Sequence, residues 1–183
     1  MRESLDGLGF ELLSVADIKA AESPPETRDT FAGNAAQKAH HYFSETGLPT
    51  VADDSGIIVE ALAGELGVRT RRWGAGPLAN DEEWIEYFLK RMSNAGNRRA
   101  RFVCSIAHID RASRLHLFKG ICEGTITEKL ESDYLPGLPI SACFRPDGGK
   151  CVFSALSPEQ KNRSSHRGKA LGLLREFLQK RPL

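Results

Sequence analysis

Two adjacent carboxylates, Asp53 and Asp54, close a short apolar run in Val51-Ala-Asp-Asp-Ser-Gly56. Pro49 to Ala52 reads as a strand that stops at Asp53. Such a strand would deliver both acids to its C-terminal end, where ligands of α/β sheets bind. Carboxylates confined together repel each other unless a proton or a cation lies between them. Mg²⁺ accepts a few carboxylates together with water and phosphate oxygens, so one reading is a metal-assisted phosphate site. The other is a plain turn, because Asp, Ser and Gly all favour turns.

A second group is Lys161-Asn-Arg-Ser-Ser-His-Arg-Gly-Lys169, in which Lys161, Arg163, His166, Arg167 and Lys169 carry or can acquire positive charge. They precede or enter the first turn of a helix expected over about 165–179. Cations there oppose the helix dipole by roughly 0.3–1 kcal/mol each. The pattern fits an anion site built from a helix N-terminus and cationic side chains, and it also fits a solvated basic loop. A third group lies on the segment Thr30-Phe-Ala-Gly-Asn-Ala-Ala-Gln-Lys-Ala39, where Asn34 and Lys38 share a helix face. Glu26 precedes it. Taken alone, these are ordinary helix-surface residues.

The elements that must carry these groups follow from pattern and punctuation. A helical stub opens the chain, and Leu8 to Val15 reads as a short strand. Residues 22–29 are a polar, Pro-containing loop. Thr30 caps a helix over 31–46 that Gly47 closes. Ile57 to Leu62 is apolar, and Gly64 to Gly76 is a glycine-punctuated loop. Residues 80–92 form an amphipathic helix capped by Asn80. Arg99 to Ile109 and Leu115 to Ile126 are two long strands joined by a polar turn, so part of the sheet is antiparallel. Residues 134–150 are loop, and Cys151 to Leu156 is a strand. His40 and His41 have no partner at metal-ligand spacing and read as helix surface, while Trp73 and Trp84 read as core or interface residues rather than base-stacking ones.

No repeat or separating linker divides residues 1–183, which read as one domain. A formal net charge of +1 on 183 residues gives no global field to gather a nucleic-acid polymer or an acidic membrane. Any anion site is therefore local. The four cysteines form no C-x-x-C pair, which points to reduced, mostly buried thiols rather than a zinc or redox site. No long apolar run suggests a leader or a membrane span, and the expected location is the cytoplasm.

The order of these pieces resembles one family. Thr30-Phe-x-x-Asn-Ala-x-x-Lys-Ala39 is followed by Ala52-Asp-Asp-Ser-Gly56 and by Gly67-Val-x-x-x-Arg72-Trp-x-Gly-x-Gly76. Arg101-Phe102, Glu123-Gly124 and Lys161-x-x-x-Ser165-His-Arg-x-x-Ala170 complete the series. The series is similar to the non-canonical purine NTP pyrophosphatases, also called inosine triphosphate pyrophosphatases, from about residue 2 to the end. The resemblance implies an elongated mixed β-sheet flanked by helices, in two lobes with a cleft between them, and a homodimer. It implies Mg²⁺-dependent hydrolysis of ITP, dITP and XTP to the monophosphate and pyrophosphate. Asp54 matches the general base and helps hold the metal. Asp53, Glu26 and Lys38 match residues near the metal and phosphates, with Glu26 on the metal side. Ser55, Lys161, His166 and Arg167 match nucleotide contacts.

Two departures from the family pattern follow from the same resemblance. Family members open with a strand and a Ser/Thr-x-Asn-x-x-Lys phosphate loop, and Met1-Arg-Glu aligns just after that lysine. The opening strand and loop are thus expected to be missing, leaving the neighbouring backbone without a partner. Where members carry Gly-Phe-Gly-Tyr-Asp-Pro before a Phe, this chain reads Gly137-Leu-Pro-Ile-Ser-Ala-Cys-Phe144, so Ile140 and Ser141 stand in for residues that shape the base pocket. A catalytically impaired relative that binds nucleotide or dimerises, and a pyrophosphatase for other nucleotides, are the alternative readings. If the basic cluster holds the nucleotide, Arg167→Ala should weaken binding by at least ~1 kcal/mol. Unchanged affinity by calorimetry would make the cluster a solvated loop.

Overall fold

The computed structural model describes residues 2–18, 23–74, 76 and 78–180, with the side chains of Glu3, Arg71 and Arg72 outside that description. Arg72, noted above in the Gly67–Gly76 stretch, is therefore placed by its backbone alone. The main helices are α1 (Arg2–Leu5), α2 (Phe31–Thr46), α3 (Asp81–Met92), α4 (Pro158–Ser164) and α5 (His166–Lys180). The strands are β1 (Thr50–Val59), β2 (Arg99–Ile109), β3 (Leu115–Ile126) and β4 (Phe144–Pro146), and they form one sheet in the order β1-β2-β3-β4. β3 and β4 are antiparallel, with Thr125 opposite Arg145. This is the expected α/β architecture.

The chain divides into two compact units. One comprises residues 1–55, 104–120 and 166–183, and the other 56–103 and 121–165. β1, β2 and β3 each contribute residues to both. The second unit has an aromatic core in which Trp73 packs edge-on against Trp84 at 5.9 Å and Phe102 against Phe144 at 4.7 Å. Both tryptophans are buried, as their surroundings in the sequence suggest.

The first unit carries most of the candidate residues, and the alternation of its strands explains how. Cys104 and Ile106 of β2 pack with Ala170, Leu171, Leu174 and Leu178 of α5. Ala107 and Ile109, of opposite parity, pack with Ala35 and Ala39 of α2. Helices thus cover both faces of β2 here, which accounts for its unbroken run of buried residues from Phe102 to Ile109. The same parity continues in β1, where Val51 joins the α5 side and Ala52 the α2 side.

Local signals set the helix ends. The Thr30 hydroxyl accepts the Gly33 N–H at 3.0 Å, and Gly47, left-handed at φ 67°, closes α2 through its N–H to the Phe43 carbonyl. Asn80 and Glu83 form a reciprocal capping box on α3. The hairpin of β2 and β3 also stands as expected.

Four expectations are corrected. The strand through Val51 does not stop at Asp53 but runs from Thr50 to Val59, because both aspartates find side-chain partners on the faces of the strand and need no turn. Leu8 to Val15 is not a strand: Ser14 N–H and hydroxyl both donate to the Asp17 carboxylate, and Asp17 N–H returns to the Ser14 carbonyl. Such local bonds compete with a ladder. Cys151 to Leu156 is not a strand either; Phe153–Ala155 is a 3₁₀ turn that drives Phe153 toward Phe102 and Phe144. Finally, residues 134–150 are not loop throughout, because Phe144–Pro146 pairs with β3 as β4. The helix expected over about 165–179 stands as α5, and a further short helix, α4, precedes it. Ser157 and Gln160 form a second capping box that starts α4 at Pro158, and an extended Ser165 separates it from α5.

Candidate functional site

The alternation of β1 separates the two adjacent acids. Asp54 follows Ala52 onto the α2 side, while Asp53 and Ser55 follow Val51 onto the α5 side. The paired carboxylates of the sequence therefore serve two different groups of residues.

On the α2 side, the Asp54 carboxylate is 8% exposed. One oxygen accepts the Asn34 carboxamide at 3.0 Å. The other accepts the Ser55 backbone N–H at 3.0 Å and lies 3.7 Å from the Lys38 ammonium. Lys38 also donates to Glu26 at 3.1 Å, so one cation spans the two carboxylates expected near phosphates. The polar loop carrying Glu26 is fastened to α2: Gln37 donates to the Pro25 carbonyl, and Arg28 N–H donates to the Asn34 side-chain oxygen. Burial raises the Asp54 carboxyl above its ordinary value, against the Asn34 hydrogen bond and the Lys38 charge, and Glu26 adds repulsion. A carboxylate with a raised pKa beside an ammonium is suited to accept a proton from water. Two hard-oxygen carboxylates meeting at one cationic position also suit a Mg²⁺ ion, which takes one or two carboxylates and leaves its other positions to water and phosphate. The residues present fit such an ion, although among the described residues no cluster of three ligands stands ready for one.

On the α5 side, Arg167 donates to the Asp53 carboxylate at 2.9 Å and to the Ser55 hydroxyl at 3.2 Å. Its side chain is half exposed, so this pair contributes about 1 kcal/mol or less. The Cys104 thiol lies 4.0 Å from Asp53, and burial, with that carboxylate, pushes its pKa up to about 12. Cys104 is thus an inert protonated thiol, and all four cysteines are free. His166 begins α5 and is 6% exposed, and burial pushes its pKa down to about 4, with the Arg167 charge adding to the effect.

Of the residues expected at the site, Glu26, Lys38 and Asp54 come together, and Asp53, Ser55 and Arg167 come together. Lys161 belongs to the second unit, where its ammonium donates to the Ser154 carbonyl at 3.0 Å. Lys161 and Arg163 occupy the last turn of α4, where cations favour the helix dipole. The dipole argument for an anion site therefore keeps only His166, Arg167 and Lys169. Ile140 and Ser141 are buried in the second unit, and the Ser141 hydroxyl accepts the Leu135 N–H at 3.1 Å. Neither His40 nor His41 reaches this site; His41 lies 3.4 Å from Glu45 one turn along α2. No described helix is long and apolar enough to cross a membrane.

Sequence reasoning missed two positions. Asn34 was visible only as a helix-face neighbour of Lys38, although an asparagine among buried alanines is the signal of a required hydrogen bond. Gly120 gave no signal. A Cβ there would run into the His166 carbonyl oxygen and come within 2.6 Å of the Ala170 nitrogen. β3 can thus lie against the first turn of α5 only without a side chain at this point.

Comparison with known proteins identifies the class. The Ham1 family pattern matches residues 1–177, and the chain belongs to the Ham1 family. It is similar to the dITP/XTP pyrophosphatase of Leptospira interrogans serogroup Icterohaemorrhagiae, at 39% identity over 96% of this chain and 88% of that one. The dITP/XTP pyrophosphatase of Thermus thermophilus is also 39% identical, over 96% of this chain and 84% of its own length. Among solved structures, a HAM1 protein from Coxiella burnetii superposes with a TM-score of 0.88 at 31% identity, covering 98% of this chain and 91% of its own.

Two measurements test the packing around His166. Gly120→Ala should lower the unfolding free energy by about 3 kcal/mol through overpacking against backbone; an unchanged urea midpoint would refute the close approach. His166 is neutral when folded, with a pKa of about 4 against 6.5 when unfolded. The unfolded state therefore binds the proton first, and stability present above pH 6.5 is lost as pH falls toward 4. The interval amounts to about 3 kcal/mol. His166→Gln should flatten this part of the stability–pH curve, and an unaltered slope would contradict a buried neutral ring.

Proposed function

We propose that this chain is a nucleoside triphosphate pyrophosphatase that converts non-canonical purine nucleotides, of the dITP, ITP and XTP type, to the monophosphate and pyrophosphate. The observation that supports it most is the buried Asp54 carboxylate, fixed by Asn34 and Ser55 beside the Lys38–Glu26 pair, in a member of the Ham1 family. Asp54 takes a proton from water as the water oxygen bonds to the α-phosphorus. The bond from that phosphorus to the bridging oxygen breaks, and pyrophosphate leaves. Lys38 offsets the charge gathering on the phosphate oxygens, which is the main requirement of phosphoryl chemistry. A Mg²⁺ held by Asp54 and Glu26 would supply further charge neutralisation and orient the water.

On this reading Arg167, Ser55 and His166 serve the nucleotide. Asp53 holds Arg167 in place and is not itself a base. The weak, half-exposed Arg167–Asp53 pair can exchange a carboxylate for a substrate anion at little cost. A cytoplasmic location and a homodimer, implied by the family resemblance, belong to the same reading.

Asp54→Asn should reduce pyrophosphate release from dITP and XTP by at least about 10²-fold at every Mg²⁺ concentration, the usual range for a lost general base. The variant should still unfold cooperatively. Retention of full activity would remove Asp54 from the role of base.

A further inference from the structure

Asn34 lies in the second turn of α2 and is 1% exposed, beside the fully buried Ala35. An asparagine in a helix interior costs roughly 0.6 kcal/mol relative to alanine, and burying its carboxamide costs more unless both ends are bonded. Both ends are bonded here. Its oxygen accepts the Arg28 backbone N–H at 2.9 Å, and its nitrogen donates to the Asp54 carboxylate at 3.0 Å. The orientation follows from the partners, because a backbone N–H can only donate and an ionised carboxylate can only accept. One face of the amide thus grips the loop two residues beyond Glu26, and the other grips Asp54. Lys38, one turn further along α2, bridges Glu26 and Asp54 from the other side. The result is a closed ring of contacts from helix to loop to strand, and Asn34 is the only member of it with no charge.

We propose that Asn34 is a positioning residue of the hydrolytic reaction, setting the Asp54 carboxylate and the Glu26 loop in one fixed arrangement without touching the substrate. The inference rests on the role given to Asp54 above. Packing alone would be served better by alanine or leucine at this position. Free rotation of the Asp54 carboxylate would scatter its oxygens, and an ångström of misplacement at a reacting group costs on the order of 10²-fold in rate. Gln37 holds the same loop through the Pro25 carbonyl, so the loop stays tethered when Asn34 is changed. Asn34→Asp keeps an acceptor for Arg28 but sets a second carboxyl group against Asp54, so the uncharged Asn34→Ala, which removes the donor outright, is read beside it.

The test compares Asn34→Asp, Asn34→Ala and Asp54→Asn with the unaltered full chain, using dITP as substrate well below each melting temperature. Asn34→Asp and Asn34→Ala should lose about 10- to 100-fold in kcat with KM within about threefold. A purely structural asparagine would lower the melting temperature and leave kcat of the folded protein unchanged. An independent reading comes from the side-chain amide resonances that vanish in Asn34→Ala. They should exchange slowly with solvent and shift in Asp54→Asn, whether or not any variant is active. If Asp54→Asn is inactive while both Asn34 variants match the unaltered kcat, the proposal is overturned and the role of Asp54 stands. If Asp54→Asn is fully active, that role fails and the proposal falls with it. Amide resonances that exchange rapidly and ignore Asp54→Asn would overturn it as well.

Discussion

A β-strand turns successive side chains to opposite faces, and in β1 this alternation decides what two neighbouring aspartates can do. Asp54 is carried toward α2 and Asp53 toward α5. Neither carboxylate shares a cation with the other. Each acquires partners from the helix on its own side, and those partners are far apart in sequence. Everything proposed for the site depends on this separation, because it takes Asp53 away from Asp54 and leaves Glu26 as the neighbouring acid, with Lys38 in contact with both.

The two groups of residues differ in energetic character. Asp54 is buried, so its charge is tolerated only through the Asn34 and Ser55 hydrogen bonds and the nearby Lys38. A buried charge left without partners costs several kcal/mol, which makes this arrangement rigid and difficult to alter. Asp53 and Arg167 are partly exposed and weakly coupled. A fixed carboxylate on one side and a readily re-engaged guanidinium on the other suit a reaction that needs an ordered base and a nucleotide that comes and goes. The core supports both. Small residues, Ala35, Ala39 and Ala107, bring α2 close to β2, and the bare backbone of Gly120 admits the first turn of α5.

Long, strongly patterned elements were legible in the sequence. Helix α2 has its threonine cap and closing glycine, α3 its asparagine, and β2 and β3 their polar turn, and each of these signals acts within a few residues of itself. The elements misread or missed were decided by distant partners or by short-range side-chain bonds that the apolar pattern masked. The strand through Val51 read as ending at Asp53 because aspartate disfavours strands, yet Asn34 and Arg167 supply bonds that keep it extended. Ser157-Pro158 with Gln160 was a start signal for α4 that the apolar pattern of α5 overshadowed. In the segment before Ile18, side-chain bonds between Ser14 and Asp17 outweighed apolar propensity.

The sequence by itself determined the residue types and their order. Asp53-Asp54 and the Lys161–Lys169 cluster admitted an anion or phosphate site beside plainer readings, and the ordered series of motifs that also contains Asn34 and Lys38 revealed a family likeness. Those features are local, fixed by spacing along the chain. Only the tertiary structure decided which residue faces which. It gave Asp54 to Asn34 and Lys38, Asp53 to Arg167, and Lys161 to the Ser154 carbonyl in the other unit. The physical reason is that a contact between residues 20 or 114 positions apart is set by the strand parity and helix packing that bring them together, and no spacing rule along the chain encodes it.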